Sequence, residues 1–226
     1  MPSPEWNRFL ENYFGDPYMM WHDGIDEKSV TFLKGKEREK AEDMLIDLLE
    51  EGSRYGAIGL RELRSDKAVP ILEVLLNDSP GTLAIEIAVA LSLIKNSLEY
   101  VPKIITALKE SRFWFVRIDA ARALRRFPSE KVLTSLFETV AKDPDYLVRN
   151  HASESILFLH GLQPNISMHK EIFRLMIIEF NPKDKSSIKD ALRQYRRCAD
   201  MIRELVERDG QLRKGPIIED IWHWKD

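Results

Sequence analysis

Ala57-Ile58-Gly59-Leu60, Ala88-Val89-Ala90-Leu91, Ala121-Arg122-Ala123-Leu124 and Ser153-Glu154-Ser155-Ile156 repeat one short pattern, a small residue followed three positions later by a large aliphatic one. Their first residues stand 31, 33 and 32 positions apart. Self-similarity at a fixed period of about 20 to 50 residues marks an array of stacked units rather than one closed core. Residues three apart share a helix face. Each copy therefore predicts a helix that narrows at one point of its buried face and fills the gap one turn later.

A second amphipathic stretch lies upstream of each copy, with apolar residues at helical spacing: Met44, Leu45, Leu48 and Leu49; Val69, Leu72, Leu75 and Leu76; Val101, Ile104, Ile105 and Leu108; Val132, Leu133, Leu136 and Val140. Each unit is thus a pair of helices. Glu51-Gly52-Ser53, Asn77-Asp78-Ser79-Pro80-Gly81, Glu110-Ser111 and Lys142-Asp143-Pro144-Asp145 fall where the first helix of a pair must stop and the second must be capped. Alternation of the strand type is absent over any comparable length.

Asp143-Pro144-Asp145-Tyr146-Leu147-Val148-Arg149-Asn150-His151-Ala152 resembles the turn and second helix of a HEAT repeat, with aspartate-proline followed by valine-arginine and alanine. Phe115-Val116-Arg117-Ile118-Asp119-Ala120-Ala121-Arg122-Ala123-Leu124 resembles the same segment one repeat earlier. The resemblance spans residues 36–162 and is weaker in the first two repeats, where Ala84 replaces the arginine. It implies an all-α protein, a right-handed α-solenoid of HEAT-like helix pairs whose second helices line a concave face. Atypical helical caps are expected at both ends, because a terminal repeat must cover an exposed apolar face. Residues 1–35 supply an aromatic N-terminal cap with Trp6, Phe9, Tyr13, Tyr18 and Trp21. Residues 163–226 supply a C-terminal cap of two helices, over about 168–180 and 187–209, the second ended by Gly210. The tail Trp222-His223-Trp224 either folds back or engages a partner.

Composition narrows the function. Hydrophobic residues are 44% and charged residues 31% of 226, which suits a folded, soluble chain. Lys+Arg 34 against Asp+Glu 37 gives a net charge of -3, so there is no general attraction for nucleic acid or an anionic membrane. Cys198 is the single cysteine, which excludes an internal disulfide and a thiolate-rich metal site. With no basic leader and no apolar run of spanning length, the expected location is cytoplasmic.

Setting Val116 at 0° and stepping about 100° per residue places Ala120, Ala121, Leu124 and Phe127 on one stripe, with Arg117 inside it. Arg117, and Arg149 one repeat on, read as structural partners of a turn aspartate such as Asp143. The far side holds Ile118, Arg122 and Arg126. Carried through the repeats, those positions give a row of Ile58 and Glu62, Val89 and Leu93, Arg122 and Arg126, Glu154 and Phe158. Such a mixed row suits a protein groove better than a phosphate track, which needs repeated cations and stacking aromatics. The alternative is that its apolar members pack under the N-terminal segment. Trp114 and Tyr146, at matching turn positions, read first as plugs of the inter-repeat groove and second as binding residues. Arg193, Arg196, Arg197 and Arg203 interleave with acids and read as a solvated face.

The five histidines are scattered, and no phosphate loop, nucleophile elbow or His-Glu-x-x-His run is present. His22, between Trp21 and Asp23, reads as a hydrogen-bonded structural histidine. The expectation is a non-enzymatic module without cofactor or metal that holds a protein partner, as a scaffold, an adaptor or an inhibitor such as a toxin-immunity protein. Arg122, Arg126, Val89, Leu93, Glu154, Phe158, Trp114 and Tyr146 are its candidate contacts. The alternatives carried by the resemblance are an alkylpurine DNA glycosylase, for which Trp114 and Asp119 invite comparison, and a phycobilin-lyase-like enzyme.

Overall fold

The computed structural model describes residues 2–217, and among them helix is the only regular structure. The tail Trp222-His223-Trp224 lies outside the described residues. The α-helices are α1 (Pro4–Tyr13), α2 (Pro17–His22), α3 (Gly35–Glu50), α4 (Arg54–Leu63), α5 (Val69–Asp78), α6 (Gly81–Ile94), α7 (Val101–Glu110), α8 (Trp114–Ala123), α9 (Glu130–Lys142), α10 (Tyr146–Leu159), α11 (Lys170–Met176) and α12 (Lys185–Asp209). Four pairs follow in chain order, α3/α4 to α9/α10, and each of the breaks expected from sequence separates the two helices of a pair. Two compact units divide them two and two, meeting in sequence between Tyr100 and Val101.

The repeated small and large residues are the seam of every pair. Ala57, Leu60, Ala88, Leu91, Ala121, Leu124, Ser153 and Ile156 are all fully buried, with 0% exposure. In the first unit α3 packs on α4 and α4 on α6. The α3/α4 crossing is so close that a Cβ on Gly56 would stand 2.6 Å from the Leu49 amide nitrogen and 2.7 Å from the Leu45 carbonyl oxygen. The N-terminal segment joins this unit through α1 and a 3₁₀ turn over Glu27–Phe32 that lies against α4. Trp6, Phe9 and Tyr13 are buried, their rings in 5.4 Å steps, and the Tyr13 hydroxyl donates to the Glu27 carbonyl at 2.6 Å. Burial in that setting raises the Tyr13 pKa strongly, with the nearby Glu27 and Glu62 carboxylates adding to it.

Arg61 of α4 holds the same joint. Its guanidinium is buried and bonds Glu27 of the 3₁₀ turn, Glu62 at 2.9 Å and Glu86 of α6 at 3.0 Å. Three segments distant in sequence are thereby tied to one cation.

In the second unit α8 packs on α7 and α10, α10 on α9, and α12 covers α9 and α11. Arg149 is nearly fully buried. It donates to the Met176, Asp143 and Pro144 carbonyls at 2.5–3.0 Å, and its guanidinium carbon lies 3.8 Å from the centre of the Tyr195 ring. Its role is structural, as the sequence indicated, but its acceptors are backbone carbonyls rather than a turn aspartate. Gly210 caps α12 for a reason of space, since a Cβ there would come within 2.8 Å of the Cβ of His160.

Two outcomes test this packing. Gly56→Ala should destabilise by about 1–3 kcal/mol in denaturant titration, because a clash with backbone cannot be relieved by a rotamer change and outweighs the roughly 1 kcal/mol alanine gains in helix propensity. Cys198 is buried on α12, and that burial pushes its thiol pKa up to about 12. It should resist alkylation in the native protein at pH 8 and react on unfolding. Because the folded pKa lies above the unfolded one, this thiol contributes stability below pH of about 9 that is progressively lost as the pH rises toward about 12.

Candidate functional site

The turns that open α8 and α10 are built from short polar caps followed by aromatic residues. Ser111 Oγ accepts from the Phe113 amide at 3.3 Å, and Asp145 accepts from the Leu147 and Val148 amides at 2.8 and 3.3 Å. Trp114 and Tyr146 are the first residues of their helices. Phe113, Trp114, Phe115 and Tyr146 are between 46% and 48% exposed, so neither Trp114 nor Tyr146 plugs an inter-repeat groove. The expectation of core packing is corrected here: the turn position precedes the buried stripe of each helix, and the side chains are about half exposed. Phe113 and Phe115 stack at 5.4 Å, Trp114 meets Phe115 edge-on at 6.1 Å, and the Arg112 guanidinium lies 4.6 Å over Phe113.

Between the same two turns runs a groove of about 390 Å³, lined by residues that include Leu108, Lys109, Glu138, Lys142 and Pro144. At its base Arg117 makes a two-pronged bond to Asp143, Nε to Oδ2 at 2.7 Å and a terminal nitrogen to Oδ1 at 3.0 Å, and also donates to the Ser111 carbonyl at 2.9 Å. Asp143 Oδ1 accepts the Asp145 amide as well, at 2.9 Å. The pairing read from sequence is therefore present, and it locks one turn to the next. Lys109 and Glu138 bridge the mouth at 2.8 Å. The groove is polar in the middle and aromatic in its adjoining turns.

Of the two sequence readings of the second-helix row, an open groove or apolar members packed under the N-terminal segment, the structure does not bear out the open groove at the apolar positions. Val89 and Leu93 are buried on α6, a helix apolar on nearly every side. Arg126 and Phe158 are also buried. What meets these two is the chain's own segment after Gly210: the Ile217 amide donates to the Arg126 carbonyl at 2.7 Å, Arg126 donates to the Ile217 carbonyl at 3.3 Å, and the Arg213 guanidinium lies 4.5 Å over Phe158. Reversing the charge of Arg126 would consequently disturb the fold as well as the surface.

Arg122 and Glu154 keep partial exposure and line a smaller cleft, of about 230 Å³, with Arg125, His151, Gln163, Pro164 and Asn165. Glu154 lies 3.5 Å from Arg125 and 3.2 Å from His151 Nδ1. Burial lowers the Arg125 pKa to about 10 against the pull of Glu154, and lowers that of Arg122. Asp119 is an electrostatic neighbour of Arg122. On α12, Arg193 pairs with Asp190 at 3.3 Å and both are exposed, while Arg203 lies 4.2 Å over Phe137. No helix among the described residues is long and apolar enough to cross a membrane.

The fold and this groove define an all-α protein of consecutive helix pairs, with the turns that open α8 and α10 clamped together by Arg117 and Asp143. Residues 68–156 match the family model for HEAT repeats, so the stretch from α5 into α10 is a HEAT-like repeat array. The α3/α4 pair, which precedes the match, is paired in the same way. No curated protein and no solved structure matches the chain.

The Arg117–Asp143 pair is the testable centre of this geometry. Asp143→Ala should cost about 3 kcal/mol, because it strands a buried guanidinium. The double variant Arg117→Met/Asp143→Ala should recover a large part of that loss, and a double-mutant cycle by thermal or chemical denaturation reads the difference.

Proposed function

We propose that the chain is a non-enzymatic protein-binding module, and that the aromatic turn rim of Phe113, Trp114, Phe115 and Tyr146 is the part of it that grips the partner. HEAT repeats are generally protein-interaction modules. The observation that carries the reading is the clustering of half-exposed aromatic residues on two turns locked together by Arg117 and Asp143. Tryptophan and tyrosine are the residues that most often dominate binding energy at protein interfaces. A rigid turn presents them without an ordering cost on association. Lys109, Glu138 and Lys142 add mixed charge around the groove, which discriminates between partners more than it adds affinity. Arg122 and Glu154, at the smaller cleft, serve as secondary contacts in this reading.

The role is that of a cytoplasmic scaffold or adaptor, or of an inhibitor such as a toxin-immunity protein. The two differ in whether the partner's own site is covered in the complex. Proteins retained by the immobilised chain from its source cell supply the partner, and calorimetric titration against parent and variants supplies the test. Trp114→Ala and Tyr146→Ala should each weaken binding at least tenfold, or about 1.4 kcal/mol, with unchanged melting temperature. Unchanged affinity in both folded variants would place the contact elsewhere.

A further inference from the structure

A second exposed aromatic patch lies in the first unit, on α2. Tyr18 is 63%, Met19 50% and Trp21 72% exposed, whereas Met20 between them is buried. The helix is nonetheless held in place. Asp16 caps it by accepting from the Tyr18 and Met19 amides at 2.9 and 3.0 Å, and the Tyr55 hydroxyl of α4 donates to the Met20 carbonyl at 3.3 Å. Tyr18 stacks on His22 with ring centres 5.7 Å apart, and Trp21 lies 6.2 Å from Tyr18. His22, expected to be structural, is exposed and bonded only at the surface, through Nδ1 to Asp23 Oδ1 at 2.7 Å. An exposed apolar cluster on an anchored element marks an interaction site rather than a frayed end.

The charged side chains of the segment that carries this patch have one sign, His22 aside. From Phe9 to Glu27 there is no lysine or arginine, while five carboxylates occur. Asp26 is paired with Arg8 at 2.7 Å and Glu27 with Arg61, whereas Asp16 caps the helix and Asp23 meets His22, and both of these carboxylates are exposed on the patch's own helix ends. The faces of tyrosine and tryptophan rings are themselves negative and attract cations. Both features select the same kind of group.

We propose that α2 is a docking site for a basic segment of a partner protein, whose arginine or lysine side chains lie over Tyr18 and Trp21 with their charge toward Asp16 and Asp23. Guanidinium groups suit it best, because they stack on aromatic faces and bond carboxylates in one plane. A lipid surface also accepts exposed tryptophan and tyrosine, but the carboxylates would repel anionic headgroups. The site is built from other residues than the turn rim, and its test does not depend on what the rim binds.

The probe is a short peptide of alternating arginine and glycine, titrated calorimetrically and followed at the indole N–H resonance of Trp21. The same peptide with citrulline in place of arginine serves as the neutral control, and phosphatidylcholine vesicles serve as the lipid control. The parent should bind the arginine peptide in a salt-sensitive manner and the citrulline peptide at least tenfold more weakly. Tyr18→Ala/Trp21→Ala should weaken arginine-peptide binding at least tenfold. Asp16→Asn/Asp23→Asn should weaken it several-fold and flatten its salt dependence, since asparagine keeps the helix cap but removes the charge. These positions are exposed, so thermal melts of the variants should match the parent. Equal binding by parent and folded variants, no binding by the parent, or association with the vesicles instead of the peptide would each overturn the proposal.

Discussion

A guanidinium taken out of water must be given acceptors for nearly all of its N–H groups, and in this chain that requirement is met at the joints between consecutive elements. Arg61 draws in Glu27, Glu62 and Glu86, and so fixes the N-terminal segment to α4 and α6. Arg117 draws in Asp143 and fixes the α7–α8 turn to the α9–α10 turn. Arg149 draws in carbonyls on both sides of itself and fixes α10 to the end of α11. Apolar burial supplies the driving force within each pair but is non-directional. The arginines supply the register, because a shift of one residue would leave a buried charge without acceptors.

Clamping the turns has a consequence for what they can display. In a turn held only by packing, large side chains at its tip would have to fold inward to stabilise it. Here Asp143 accepts both the Arg117 side chain and the Asp145 amide, and the turn is held by groups below its tip. Trp114 and Tyr146 are free to face solvent. The same logic applies to α2, where Met20, the Asp16 cap and the Tyr55 hydrogen bond hold the helix while Tyr18 and Trp21 stay outside.

Much of this was legible in the sequence where the governing rule is local. The small-then-large pattern found the buried seam of all four pairs because side chains three apart share a face whatever the partner. The Arg117–Asp143 pair was legible because a cation at a core position demands an acceptor, and the next turn had one. The outward reading of Arg126 failed for a definable reason. Stepping by one helical angle assumes an uninterrupted helix, yet α8 ends at Ala123 and Leu124–Arg126 form a 3₁₀ turn with a tighter winding. Val89 and Leu93 carried a usable warning. The α6 sequence has Glu86 as its only charged residue, and a helix apolar all round is a buried one. The contact of residues 211–217 with Arg126 and Phe158 had no local signature, since it depends on where a long C-terminal helix returns the chain.

That returning segment also decides which end of the second helices is open. The last carbonyls of a helix lack intrahelical partners. In α10 the Leu159 and His160 carbonyls accept amides from Arg213 and Gln211, both at 2.8 Å, and beyond α8 the Arg126 carbonyl accepts the amide of Ile217. The C-terminal ends of α8 and α10 are therefore closed by main chain, with Phe158 covered by Arg213. Their N-terminal ends carry Trp114 and Tyr146, each about half exposed. A partner approaching at the C-terminal ends would first have to break backbone hydrogen bonds, whereas one approaching at the N-terminal ends meets aromatic surface directly. The asymmetry of the two ends, more than the composition of any one position, favours the turn rim over the row of second-helix side chains as the place of contact.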